Sequence, residues 1–310
     1  MAKFILKRLT YGIFTIFIII TITFFLIHAV PGDPMGAGAK HLPENALNAF
    51  EAKYGLDKPV IVQYGMYLKR LILKGDLGDS LVYVGRSVNE SIKKYAPISA
   101  VIGGQAFVFE IILGLGLGII AALKRGKWLD QLIMFLVILG ICIPGFVFAS
   151  LLQYVFGVKA GILPIFGWGE YRHTILPSLA LALGGIASYT KYMRNSTLGV
   201  IGEDYILTAE AKGLKSITII WKHVIRNAII PIITLIGPHI LFIFTGAFVI
   251  ESIFGIPGLG AYFVLSVNDS DYTMILGLTI FVAILYILSL ILVDILYGIA
   301  DPRIRVGKKK

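Results

Sequence analysis

The chain has 310 residues, of which 57% are hydrophobic and 15% charged, and its formal net charge is +10. Soluble domains average about 45–50% apolar and about 25% charged residues. Here the apolar residues also cluster into runs able to cross about 30 Å of hydrocarbon, which excludes a single soluble core. The basic excess is of the kind that Lys and Arg in cytoplasmic loops produce, so nucleic-acid binding is not expected. Cys142 is the only cysteine, which excludes an intrachain disulfide.

In chain order, the first apolar run extends from Leu9 to Val30, behind Lys3, Lys7 and Arg8. It exceeds a signal-peptide core, and no small-x-small cleavage site precedes Pro31-Gly32-Asp33-Pro34, so an uncleaved span is expected. In the long segment that follows, Val60, Ile61, Tyr64, Tyr67, Leu68, Leu71 and Ile72 make one apolar face after Pro59, with Lys69, Arg70 and Lys74 opposite. That pattern fits a helix at the membrane interface or capping a pathway, and equally one that simply packs against the spans. Five further spans are expected: Ile98–Leu123, Leu132–Val158, a shorter Ile175–Tyr189, Ala228–Ile250 and Met274–Val293. The expected fold class is therefore an all-α integral membrane protein with six transmembrane helices. It divides into 1–97, the first span with its extracytoplasmic segment, and 98–310, a five-helix core with a loop at about 194–227 and a basic tail.

Short-loop charge sets the orientation. Lys124, Arg125 and Lys127 follow the second span, and Arg303, Arg305, Lys308, Lys309 and Lys310 end the chain. Glu251, Asp269 and Asp271 follow the fifth span without any Lys or Arg. Both termini and the 194–227 loop are expected in the cytoplasm.

That loop contains EDYILTAEAKGL, Glu203 to Leu214. Asp204 suits a helix cap with Glu203 beside it, Lys212 suits the far end, and Gly213 suits a stop. Leu207, Ala211 and Leu214 form one stripe, and Tyr205, Ala209 and Gly213 form another with little bulk. A second helix is expected from Ser216, burying Ile217, Ile220, Trp221 and Val224 and leaving Lys222, His223 and Arg226 largely off that face. The loop reads as two short helices hinged at Gly213, one anchored and one offering small residues to a visitor. An ordinary loop helix resting on the bundle has the same periodicity.

TAEAKGL followed by KHVIRNAIIP resembles the EAA loop of ABC importer permeases, specifically the oligopeptide/dipeptide permease family. The general EAA pattern places Ile-x-Leu-Pro ten residues after a glycine; this chain has His223-Val224-Ile225-Arg226 there, with the proline delayed to Pro231. That version is similar to the peptide-permease branch. PGDP (31–34), YGLDKPVIVQY (54–64), GDLGDS (75–80), ESIFGIPGLG (251–260), DSDY (269–272) and DPRIR (301–305) occur in the family's order, so the likeness covers nearly the whole chain. The resemblance implies a prokaryotic plasma-membrane subunit that couples to separate ATPases through Tyr205, Thr208, Ala209, Glu210, Lys212, Gly213, His223 and Arg226. It also implies a homologous second permease, two ATP-binding subunits and an extracytoplasmic solute-binding protein, within membrane lipid. The cargo it implies is di- or oligopeptide, with nickel, glutathione or sugar among relatives.

The chain has no GxxxxGK[ST] segment, so ATP and Mg are expected on the partner ATPase and no cofactor on this chain. GLGLG (114–118) lies inside a span, where close helix packing through Gly114 and Gly118 is expected. The five histidines, at 28, 41, 173, 223 and 239, have no metal-ligand spacing, and no nucleophile–base pair suggests an enzyme. Glu110 and Asp294 are the acids expected inside the membrane. Glu110 could touch solute, carry a proton, or make a helix contact; Asp294 could pair with Arg303 or Arg305. An ion-gradient-driven carrier using these two acids is the rival reading. Lys191 and Arg194 need no role beyond snorkelling at a span end.

Overall fold

A computed structural model describes residues 2–29, 52, 54–80, 82, 83, 85–233, 235, 236 and 248–300, with side chains from residue 6 to residue 293. Helix α1 covers Ala2–Ala29, α2 Val60–Lys74 and α3 Val88–Leu123. Then come α4 (Trp128–Cys142), α5 (Gly145–Lys159) and α6 (Arg172–Ile201). Next are α7 (Asp204–Ala211) and α8 (Ser216–Ile233). Helices α9 (Phe248–Phe254), α10 (Leu259–Asn268) and α11 (Tyr272–Ala300) complete the chain. The described residues contain no strand, only an isolated bridge between Asp79 and Ser87.

The fold is thus all-helical, as expected. Among the described residues, α1, α3, α8 and α11 are long and apolar enough to cross a membrane, and the count reaches six if the bent pairs α4–α5 and α9–α10 are each one span. The second span starts at Val88, before the apolar run, with Pro97 inside the helix. The third is broken, its halves meeting at 109°. Pro144 has no N–H to continue the ladder and holds Ile143 extended, at φ −81° and ψ 121°. The second bend, 101°, falls at Gly255-Ile256-Pro257-Gly258, where Gly255 has φ +61°. Most of the fifth span, with Pro238 and His239, lies outside the described residues. What is described shows that the second half of the loop and the start of that span form one helix, α8.

The fourth span differs most from expectation. It was expected over Ile175–Tyr189, yet α6 has 30 residues and continues to Ile201. At 1.5 Å per residue it is about 45 Å long, so about 15 Å exceeds the hydrocarbon thickness. It is not apolar enough to qualify as a span by composition. The reason is that α6 is wrapped by protein: it touches α3, α4, α5, α8 and α9. A helix surrounded by helices needs small residues that let backbones approach, not long apolar ones. Ala182, Ala187, Ser178 and Thr190 are buried along it, and Ser178 and Thr190 satisfy their hydroxyls on the carbonyls of Ile102 (3.0 Å) and Ile186 (2.7 Å).

Its partners meet it through glycine. A Cβ on Gly118 of α3 would lie 2.7 Å from both the Met193 Cβ and the Thr190 carbonyl oxygen. One on Gly114 would lie 2.7 Å from the Tyr189 Cβ, and one on Gly140 of α4 would lie 3.1 Å from the Ala187 Cβ. The packing role expected for Gly114 and Gly118 is what the structure has. On the other side of the molecule α1 packs along α11, and Ile20, Phe24, Tyr67, Val88, Met274 and Ile280 form a second core. The 76–87 loop is stitched to the start of α11, with the Tyr83 hydroxyl donating to Asp269 (2.7 Å) and Ser80 donating to Asp271.

Gly118→Ala is expected to lower stability by about 1–3 kcal/mol, as overpacking of a close seam does. Gly116→Ala, two residues away with nothing within 4 Å of its added Cβ, should be neutral or better. Thermal unfolding of the two variants in the same detergent checks the pair.

Candidate functional site

At the C-terminal end of the 30-residue α6, α7 and the start of α8 close over it. Val200 and Ile201 of α6 pack against a small core of Ile206, Ala209, Ile219 and Val224. Ser196 ties α6 to α8 by donating to the Ala228 carbonyl at 2.7 Å. Glu203, extended at φ −82° and ψ 145°, takes the position before α7, and Asp204 is its first residue. The expected Asp204 cap is therefore not made; its carboxylate sits in the first turn, where a negative charge still suits the helix dipole.

At the far end of α7 the Gly213 N–H donates to the Glu210 carbonyl at 2.9 Å and the Leu214 N–H to the Ala209 carbonyl at 3.3 Å. These are the two bonds of a Schellman ending, and they place Gly213 at φ +72°. No heavy atom lies within 4 Å of an added Cβ there, so the backbone conformation alone demands glycine. The expected helix stop at Gly213 is present.

Two expectations about the faces are corrected. Ala209 was placed among the residues offered outward, but it is only 5% exposed and lies in the core beneath α7. The second helix begins at Ser216 as expected, yet Ile217 and Trp221 are 59% and 64% exposed rather than buried. Residues Ile219–Ile225 wind as a π-helix. A wider turn brings Ile219 and Val224, five apart, onto one face, so a template of 3.6 residues per turn selects the wrong residues.

The remaining candidates divide by position. Tyr205, Thr208, Glu210, Lys212 and Gly213 are exposed on or just after α7, together with Leu207, Ala211 and Leu214. His223 is half-buried and Arg226 exposed on α8. Asn227 links the two helices, donating to the Tyr205 hydroxyl (3.1 Å) and to the His223 carbonyl (2.7 Å). The structure thus brings Tyr205 and the His223 backbone to one point. It leaves an open face of α7 that is part apolar, part charged.

Several functional-looking contacts were not read from the sequence. Arg194 does not merely snorkel: it forks onto Asp130 of α4, with bonds of 2.7 and 2.8 Å, and Asp130 also accepts the Gly126 N–H at 3.0 Å. Glu251, counted only as a loop charge, is 3% exposed. It accepts from the Ser99 hydroxyl at 2.6 Å and the Ala261 N–H at 3.0 Å, holding the first turn of α10 at the bend after α9. No local spacing marks either pair, because each joins distant helices.

Glu110 is 2% exposed, at the start of a π-helical turn of α3, with its carboxyl over the α-carbon of Gly185 on α6. It lies in the seam between two helices. Gln105, earlier on α3, is engaged by Ser178 at 3.1 Å and by Tyr171 at 3.2 Å. Asp294 belongs to α11, and its side chain, like Arg303 and Arg305, lies outside the described residues. Among the described residues no three His, Cys, Asp or Glu side chains form a metal-binding group.

Residues 114–306 match the binding-protein-dependent transport system inner membrane component family, and residues 1–95 match the N-terminal part described for such membrane components. The chain belongs to this family. The dipeptide transport system permease protein DppB of Bacillus subtilis is 43% identical over 309 residues, covering 100% of both chains. The oligopeptide transport system permease protein OppB of Haemophilus influenzae is 43% identical, and that of Escherichia coli K12 is 42% identical. Both alignments cover 98% of this chain and all of the relative. As a member of the family it is a multi-pass component of a transport system and works with other subunits; the family is one of transport components, not of enzymes.

Arg194→Gln leaves Asp130 buried without its cation. It should destabilise the protein by about 3 kcal/mol, and Asp130→Asn combined with it should restore part of the loss. Thermal unfolding of the two variants measures the difference.

Proposed function

We propose that this chain is a permease subunit of an ATP-driven importer of di- or oligopeptides, with α7 and α8 as the joint to its ATPases. The observation that carries the reading is the seating of α7. Its underside, Ile206 and Ala209, is fixed on the projecting end of α6, while Tyr205, Leu207, Thr208, Glu210 and Lys212 face outward. A partner pressing on that face would displace α6 directly, and through the continuous α8 it would displace the following span. The names of the relatives, dipeptide and oligopeptide permeases, support the cargo class.

The assembly contains a homologous second permease, two ATP-binding subunits that hold ATP and Mg, and an extracytoplasmic solute-binding protein. Both termini, α7 and the start of α8 are cytoplasmic, and α8 runs on into the fifth span. ATP-driven closure of the ATPases favours one arrangement of α7 over the other, and the coupling is limited to the difference in contact free energy between those states. Glu110, packed over Gly185, serves the α3–α6 seam in this reading.

Uptake of a labelled dipeptide should persist when a proton uncoupler is added with ATP clamped; its collapse would move the function to a gradient-driven carrier. Gly213→Val forces a β-branched residue into a left-handed conformation that costs about 1–2 kcal/mol, so α7 loses its ending. ATP-linked uptake should then fall sharply while the variant still reaches the membrane, as quantitative blotting of membrane fractions would show.

A further inference from the structure

At the end of α1 opposite the N-terminus, a cavity of about 60 Å³ opens between α1, α2 and the start of α11. One wall is apolar, made by Phe24, Ile27 and Leu276. The other carries Tyr67 and Arg70, which the sequence pattern placed on opposite faces of α2. Tyr67 is 4% exposed, and its hydroxyl has no hydrogen-bond partner among the described residues. The same holds for the buried Nε and Nη1 of Arg70, whose guanidinium lies 4.3 Å from the centre of the Tyr54 ring.

The nearby acceptors are turned to other donors, and none of them bonds the Nε or Nη1 of Arg70. Asp79 accepts the Tyr54 hydroxyl at 2.6 Å, and Asp76 accepts the Gly78 N–H at 2.8 Å. His28 and Gln63 face each other and backbone carbonyls. Burial, the largest influence, holds the Tyr67 hydroxyl above the ordinary phenol range, so it stays protonated and can donate. Buried donors normally have acceptors; the guanidinium can only donate, and the Tyr67 hydroxyl beside it can donate to the same acceptor. The complementary ligand is an oxyanion.

The surroundings say which one. Ile61, Ile72 and Leu73 of α2 are exposed, at 64%, 74% and 70%, beside α1 with its exposed Leu26. An apolar helix face at the end of a span sits in the headgroup layer. A ligand reaching this cavity would have its charged part against Arg70 and its apolar part along Phe24 and Ile27.

We propose that this cavity binds the phosphate of an anionic phospholipid headgroup through Arg70 and Tyr67. The guanidinium fork suits a phosphate better than an ammonium would. Lipid held here pins α2 to the ends of α1 and α11. The site needs no assumption about cargo or coupling, so it is tested by binding alone.

The experiment is native mass spectrometry of the full chain, purified with its partner subunits from nanodiscs of phosphatidylcholine containing phosphatidylglycerol. Wild type should retain phosphatidylglycerol through detergent exchange, and Arg70→Gln should retain it about tenfold less, as loss of a charge-assisted bond implies. Arg70→Lys should fall between the two, since it keeps the charge and loses the fork. Tyr67→Phe removes only a hydroxyl and should also weaken retention, which keeps the test open if Arg70→Gln fails to fold. Equal retention by wild type and by every folded variant overturns the proposal. So does displacement of the lipid by millimolar inorganic phosphate, which would assign the site to a soluble anion.

Discussion

The structure depends on how closely its helices can approach α6. Lipid tails are as apolar as leucine, so helices in a membrane associate through packing and hydrogen bonds more than through hydrophobic burial. Gly114, Gly118 and Gly140 let α3 and α4 settle against Tyr189, Met193 and Ala187. Gly185 makes the same allowance in reverse, giving room on α6 to the carboxyl of Glu110. Arg194 and Asp130 then fasten the α6–α4 contact near the point where α6 leaves the bundle. A helix held on so many sides is firmly fixed among its neighbours.

That rigidity gives the α7–α8 segment its meaning. The eight-residue α7 is well below the length that is stable alone in water, so it and the start of α8 rely on their neighbours. Here they are fixed by the Ile206–Ala209–Ile219–Val224 core, by the Ser196 bond to Ala228 and by the Asn227 bond to Tyr205. The π-helical turn Ile219–Ile225 lies in this contact, and another, Glu110–Gly114, lies in the α3–α6 seam. Such turns are uncommon and collect at functional positions. Both stand where a small change of winding would alter how α6 is held.

The sequence made the class of molecule readable, because apolar runs and short-loop charge are local signals. It also made the Gly213 ending readable, since Glu203 to Leu214 carries its own start and stop. What could not be read depends on residues far apart or on departures from standard winding. Pro144 breaks the helix between α4 and α5, but the 109° angle between them follows only from how they pack. The length of α6 was hidden because a protein-wrapped helix needs no lipid-like composition. Ala209 and Trp221 were assigned to the wrong faces because periodicity finds stripes without saying which neighbour covers them. Arg194 with Asp130, and Glu251 with Ser99, leave no trace in local spacing.

The central claim is that α7 rests on α6 by its Ala209 side and meets an ATP-binding partner by its Leu207 side. Single cysteines at 207 and 209, introduced with Cys142 replaced by serine, allow a direct measurement in membranes that contain the whole transport system. A thiol-reactive benzophenone, attached to the cysteine and then photoactivated, should join residue 207 to an ATP-binding chain and leave residue 209 without an adduct. Equal adducts from both positions, or none from 207 in an assembly that hydrolyses ATP and imports solute, would contradict the account.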